Sequence, residues 1–241
     1  TKANEGGSKL SKLVGKKYCA RVWAIFIVSF VVILPFNVAR GASPTTLISF
    51  DFQGQVGAHE ASPVSLDPAI SSSVYSATYP GGSTSAVEYW SSALNSAHVV
   101  RDSLAYIEFT TVRPVKLDSL AMFSVHNDNA GNIIDFSVML SPKDYTMHSY
   151  TAADNTVAAL NALGFQKLAD FSQVNGPVQT SLSLGSTLIT PGTYYLAFAL
   201  QNDSQIRTWT AQFRNDDVEL TGTVIPDNDG DGSYETEDCD D

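Results

Sequence analysis

The sequence predicts an all-β protein, a jelly-roll-like sandwich of about ten short strands carrying one short surface helix. Three observations lead there. From Leu47 onward, segments rich in Thr, Val, Tyr and Phe alternate with clusters of Gly, Pro, Asn, Asp and Ser, the pattern of strands and turns. Several segments alternate apolar and polar residues with period two. Between them no long helical stretch is written of the kind that a parallel sheet needs for its crossovers.

Composition agrees. The hydrophobic fraction of the 241 residues is 44%, ordinary for a folded chain, whereas the charged fraction is only 16%, a lean toward extracellular β-rich domains. Charge is unevenly spread. Seven of the 14 Lys and Arg precede residue 42, with Glu5 the one acid there. From Ala42 on there are 7 basic and 24 acidic residues, 7 − 24 = −17. Such a surface repels phosphate backbones, so nucleic acid is not an expected partner, and it attracts divalent cations. Cys19 and Cys239 both lie outside the sandwich segment. A disulfide scaffold is thereby excluded for it, and the domain must be held by its core.

The elements follow in order. Lys9, Lys12, Lys16, Lys17 and Arg21 precede an apolar run from Val22 to Leu34, and Ala39-Arg40-Gly41 ends it with small residues at −3 and −1. That is the build of a secretory signal peptide over residues 1–41, with cleavage expected after Gly41. An uncleaved anchor is the alternative, because the stretch to Val38 reaches 17 residues, near the short end for a span. The basic flank keeps the N-terminus inside in either case, so the mature part faces the cell exterior or surface. Membrane contact is expected only through this leader, if it is retained. Cys19 precedes the apolar run, so a lipid-modified cysteine is not expected. The chain starts at Thr1 and stops at Asp241 inside a motif, and a longer product is expected.

Residues 42–226 are the sandwich. The expected strands are Leu47–Phe52, Val74–Tyr79, Leu104–Val112, Leu117–His126, Ile133–Leu140, Phe165–Phe171, Val178–Leu184, Thr193–Leu200, Ile206–Phe213 and Val218–Val224. Phe136, Val138 and Leu140 share one face, and Asp135, Ser137 and Met139 the other. Ile107 and Phe109 oppose Tyr106 and Glu108; Val218 and Leu220 oppose Asp217 and Glu219. One polar face implies a sheet packed on one side only. Tyr194 to Leu200 is apolar on both faces and so belongs in the middle of a sheet, entered by a Pro191-Gly192 turn. Val157, Leu160 and Leu163 stand at helical spacing between Asp154 and Leu163, with Gly164 as the stop.

The opening strand Ile48-Ser49-Phe50-Asp51-Phe52-Gln53-Gly54 is followed by a Ser/Ala-rich stretch and Ala105-Tyr106-Ile107-Glu108-Phe109-Thr110. The close is Asp216-Asp217-Val218-Glu219-Leu220-Thr221-Gly222-Thr223-Val224-Ile225-Pro226. This order resembles the exported β-sandwich domains of PEP-CTERM-type bacterial surface proteins. The resemblance implies a non-catalytic or unassigned domain of the envelope and extracellular matrix. A Pro-Glu-Pro sorting tail is missing, and an Asp-rich segment stands in its place.

That segment, residues 227–241, reads D-x-D-x-D-G with an acid at position twelve, a calcium-loop pattern. Calcium takes six to eight hard oxygens at about 2.3–2.6 Å. Alternate aspartates on a curled loop can supply them. Asp227, Asp229, Asp231, the Ser233 carbonyl, Glu235 and Asp238 are the expected ligands for Ca2+, with Gly232 allowing the turn. The segment before Asp227 is a strand rather than a helix, and position twelve is Asp, so this is not an EF-hand. It is similar to thrombospondin type 3 repeats, and Asp238-Cys239-Asp240-Asp241 looks like repeated Asp-Cys-Asp-Asp metal-binding segments of exported proteins. A solvated acidic tail is the alternative.

No other constellation stands out. His59, His98, His126 and His148 are scattered without metal spacing. Glu108 and Asp135 are the one carboxylate pair to weigh for glycoside hydrolysis. No nucleophile elbow, phosphate loop or CxxC motif occurs, and no enzyme activity is expected. Trp90 and Trp209, with Tyr75, Tyr79 and Tyr89, are the material for stacking on sugar rings; the alternative is the core, where most such residues of a sandwich lie. The expected function is a structural or adhesive surface protein with a calcium-stiffened acidic segment, its partners extracellular glycans or matrix proteins. The alternative is a carbohydrate-binding module accessory to a catalytic domain.

Overall fold

The computed structural model describes residues 42–53, 60–78, 87–91, 94–99, 104–127, 134–142, 156–173, 176–201, 212–227 and 234. The leader lies outside them, and among them no helix is long and apolar enough to cross a membrane. The strands are β1 (Thr45–Phe50), β2 (Glu60–Ala61), β3 (Ser65–Leu66), β4 (Ile70–Thr78), β5 (Val87–Ser91), β6 (Leu94–Val99) and β7 (Leu104–Thr111). Then come β8 (Val115–Asn127), β9 (Ile134–Pro142), the helix α1 (Val157–Ala162), β10 (Gln166–Gln173), β11 (Gly176–Ile189), β12 (Gly192–Leu200) and β13 (Gln212–Val224).

They form two antiparallel sheets, so the all-β sandwich read from the sequence is what the chain adopts. One sheet runs β11-β8-β13-β1-β3, with β6 also on β13 and β5 on β6; the other runs β10-β9-β12-β7-β4-β2. Most connections cross from one sheet to the other; β5–β6 and β9–β10 are the neighbours in sequence that pair directly. This alternation between layers is the jelly-roll habit.

The main core fills the space between the sheets. β1 and β13 contribute Ile48, Phe50, Val218 and Leu220, and β8 contributes Val115, Leu117, Leu120 and Met122. The facing sheet contributes Ile107, Phe109, Phe136, Val138, Leu140, Leu196 and Phe198. These sets follow the period-two alternation of their strands, except on β8, where the register shift between Leu117 and Ser119 moves the inward positions from Val115 and Leu117 to Leu120 and Met122. At Gly222 on β13 the neighbouring strands of the same sheet crowd so closely that an added Cβ would lie 2.5 Å from the Lys116 carbonyl oxygen on β8. Only glycine fits that position.

β12 sits between β9 and β7, the central place predicted by its apolar faces. The expectation that each sheet packs on one side only is corrected on the six-stranded sheet. Tyr106, Met139, Tyr195, Ala197 and Ala199 point away from the main core, yet Leu160 and Phe165 bury them in a second cluster. Helix α1 supplies that cover. Thr156 caps it, its Oγ1 accepting from the Ala159 N–H at 3.2 Å. Gly164, at φ 88°, ends it. The Gly164 and Phe165 N–H groups return to the carbonyls of Asn161 and Leu160, a Schellman closure that folds Phe165 beneath the helix.

Other boundaries also move. The helix starts at Val157 rather than Asp154, and Val112 lies past the end of β7. β2, β3, β5 and β6 were not expected from the sequence; β5 and β6 fall within what reads as a Ser/Ala-rich stretch. The expected strand Ile206–Phe213 lies mostly outside the described residues, with Gln212 and Phe213 opening β13.

Candidate functional site

The outer face of the seven-stranded sheet is a lattice of hydroxyl and carboxylate side chains. Register sets its rows. Ser65, Ser49, Glu219, Ala121 and Ser181 lie abreast on β3, β1, β13, β8 and β11. Thr46, Thr221, Ser119 and Ser183 form the next row, and Thr223, Lys116 and Leu188 the one beyond. Neighbouring strands in such a sheet stand about 4.8 Å apart, and same-face residues of one strand about 6.7 Å apart. The side chains are tied to each other. Ser49 and Ser65 hydroxyls meet at 2.7 Å, as do those of Ser119 and Thr221. Thr46 donates to Glu219. Asp118 accepts from Thr223 on one oxygen and from Ser186 on the other, both at 2.7 Å. These bonds hold the rotamers of a polar, half-exposed surface, which suits it to ligands that are themselves rich in hydroxyls. Helix α1, the one helix among the described residues, packs on the other sheet, against β9, β10 and β12.

One place on this sheet is different. β13 pairs β6 through Phe213–Asn215 and β1 through Val218–Gly222. Between these partners the register against β8 shifts at Asp216 and Glu219, and Asp217 takes φ 46°. Asp216 is only 3% exposed. Burial pushes its carboxyl up to about 6, with the charges of Asp217 and Asp51 adding to the rise against one backbone hydrogen bond from Asp217. The signal for this feature is three polar residues in a row, Asn215-Asp216-Asp217, inside a strand. The period-two reading began at Asp217 and passed over it.

The expected site residues fare unequally. Asp227 is half-buried where the chain leaves β13; Ile225, 3% exposed, pins that exit through its N–H to the Pro114 carbonyl at 3.0 Å. Asp229, Asp231, Ser233, Glu235 and Asp238 lie outside the described residues. No group of three or more His, Cys, Asp or Glu able to hold a metal occurs among the described residues. Trp90 falls in β5, and Trp209, Tyr79, His59 and His148 lie outside the described residues. His98 and His126 stand on β6 and β8, on either side of β13. Of the two places open to it, Tyr75 takes the core: it is fully buried against Phe50, Phe52 and Phe198 and offers no sugar platform.

The carboxylate pair does not come together. Glu108 on β7 faces Tyr195 on β12, which faces Ser141 on β9. Asp135 lies six residues from Ser141 along β9, roughly 20 Å away at strand rise. Glycoside hydrolysis needs two carboxyls within about 5–10 Å. Asp135 is instead engaged by the Ser172 hydroxyl.

No known family model matches the chain, and no curated protein does. Solved structures resemble it distantly. The K2 cleaved adhesin domain of Lys-gingipain is 12% identical with a TM-score of 0.38, covering 74% of this chain and 99% of its own. The Stig cyclase Fisc from Fischerella sp. TAU is 15% identical with a TM-score of 0.29, over 76% and 89%. TmCBM61 in complex with beta-1,4-galactotriose is 4% identical with a TM-score of 0.28, over 61% and 80%.

Proposed function

We propose that this chain is an exported, non-catalytic adhesive or structural module of the cell surface, its sandwich bearing a calcium-binding segment at residues 227–241. The observation that carries the reading is the junction at Ile225. A buried side chain and a backbone bond fix the chain two residues before Asp227, so the alternate aspartates that follow leave from a rigid strand end. The donor set is all oxygen, the chemistry that hard divalent calcium prefers. In a calcium-replete exterior the carboxylates share a cation; without it they repel one another. Calorimetric titration of residues 42–241 with calcium is the test. Saturable binding in the submillimolar to millimolar range, lost in Asp229→Ala, is the expected result. Identical titrations of the two chains would remove the metal from the account.

A second reading, glycan binding, is favoured by the hydroxyl lattice on the seven-stranded sheet. Glycan-array binding that falls in Thr221→Val with the melting temperature unchanged locates the ligand on that face. Loss confined to Trp90→Ala or Trp209→Ala moves it to the aromatics.

A further inference from the structure

Tyr75 and Asn215 meet in the main core from opposite sheets, and each is completely buried. Tyr75 lies on β4 across from Ile107. Its ring is enclosed by Phe50 at 5.9 Å and Phe52 at 5.1 Å, both edge-on, and by Phe198 at 6.2 Å. Asn215 lies on β13 across from Ser124, itself fully buried, whose hydroxyl is committed to the Val178 carbonyl at 3.4 Å. The two side chains are close enough that Asn215 eases the rise that burial imposes on the Tyr75 hydroxyl. Their geometry nevertheless falls short of a hydrogen bond. The Tyr75 hydroxyl and both polar atoms of the Asn215 amide are left without a partner.

Native interiors rarely tolerate one such group, because a buried donor or acceptor forfeits its water and gains nothing in return. Three together, in contact range, form a complementary set. The phenol is a donor with spare acceptor capacity, the amide oxygen accepts, and the amide nitrogen donates twice. Burial holds the phenol neutral, so its proton stays available to donate. We infer that Tyr75 and Asn215 form an internal binding site for a small neutral donor–acceptor molecule, water, bridging the two sheets inside the aromatic core. Such a molecule needs two to four polar partners, and the pair supplies them. The position is telling. Asn215 is the last residue of β13 paired with β6, directly before the Asp216–Asp217 bulge. A bridge there ties the irregular part of the central strand to the opposite sheet, where side-chain packing alone would let it shift.

The sign of one substitution separates a hydrated site from a dry one. Tyr75→Phe removes the hydroxyl and keeps the ring. If water bridges the pair, the variant strands the water and the amide, and the melting midpoint falls by about 2–4 °C. If the core is dry there, the variant relieves an unpaired polar group, and the midpoint stays or rises; either outcome overturns the inference. The wild-type chain provides a second readout that does not depend on variant folding. Proton NMR in water should show a protected Tyr75 hydroxyl resonance with a cross-peak to a bound water. A protected resonance lacking that cross-peak, or a hydroxyl exchanging freely with bulk solvent, would equally refute the site.

Discussion

The two sheets turn very different backs to the outside. On the six-stranded sheet, Tyr106, Met139, Tyr195, Ala197 and Ala199 are sealed under Leu160 and Phe165. On the seven-stranded sheet the same geometric positions hold Thr46, Ser49, Ser119, Thr221 and Glu219, half-exposed and bonded among themselves. Both backs are made by the same period-two alternation. What separates them is whether the alternate set is apolar enough to recruit a cover. Six helical residues suffice, because burying a few large side chains outweighs the order they impose. The covered back is therefore committed to stability, and the open back keeps its polar side chains half-exposed.

Substitutions probe this contrast with effects of graded size. Leu160→Ala should have the largest effect, about 3 kcal/mol of lost stability, since it hollows the centre of the covering cluster. Urea unfolding measures it, and a loss below about 1 kcal/mol would mean that the helix merely rests on the sheet. Asp216→Asn should act in the other direction. The folded carboxyl sits at about 6 against an ordinary value of 3.8, so the buried acid favours the fold only while protonated. Its penalty grows as pH rises from about 4 to about 6 and is full at neutrality, ~2 kcal/mol. Asparagine keeps the acceptor for the Asp217 N–H without the charge. The variant should be the more stable chain at pH 7.5 and equal to wild type below pH 4; a pH-independent difference would contradict the burial of that charge. Thr156→Ala, which deletes the cap of α1, should cost about 1 kcal/mol. Smallest of all, Ser119→Ala on the open back should change stability by less than about 0.5 kcal/mol. A larger loss would show that the hydroxyl lattice is structural and leaves no face for a ligand.

How much of this could be read beforehand depends on what each residue's surroundings add. β12 was legible because Tyr194 to Leu200 is apolar on both faces, which only an interior strand tolerates. The sandwich was legible from β7, β9 and β13, whose alternation is local. The second cluster was half legible. Leu160 was visible at helical spacing and Met139 stood on the supposedly polar face, but only the tertiary fold brings one over the other. β6 was missed because Ser, Ala and Asn carry little strand propensity and its pairing with the distant β13 decides its state; β5 carries the strand formers Val87, Tyr89 and Trp90 but is only five residues long and was passed over within the Ser/Ala-rich stretch. Tyr75, beside Ser73 and Ser76, reads either as stacking material or as core, and Phe50, Phe52 and Phe198, distant in sequence, decide for the core. The calcium ligands from Asp229 to Asp238 rest on spacing alone.

β1 and β13 are antiparallel neighbours, with Thr45 opposite Gly222. The chain therefore enters and leaves the sandwich at one end, through adjacent strands. A force that draws those two points apart acts across the ladder, so its bonds would break one after another instead of sharing the load. A module tethered through both termini would peel open under tension, whereas a ligand held on a sheet face and a single tether would leave that seam unloaded.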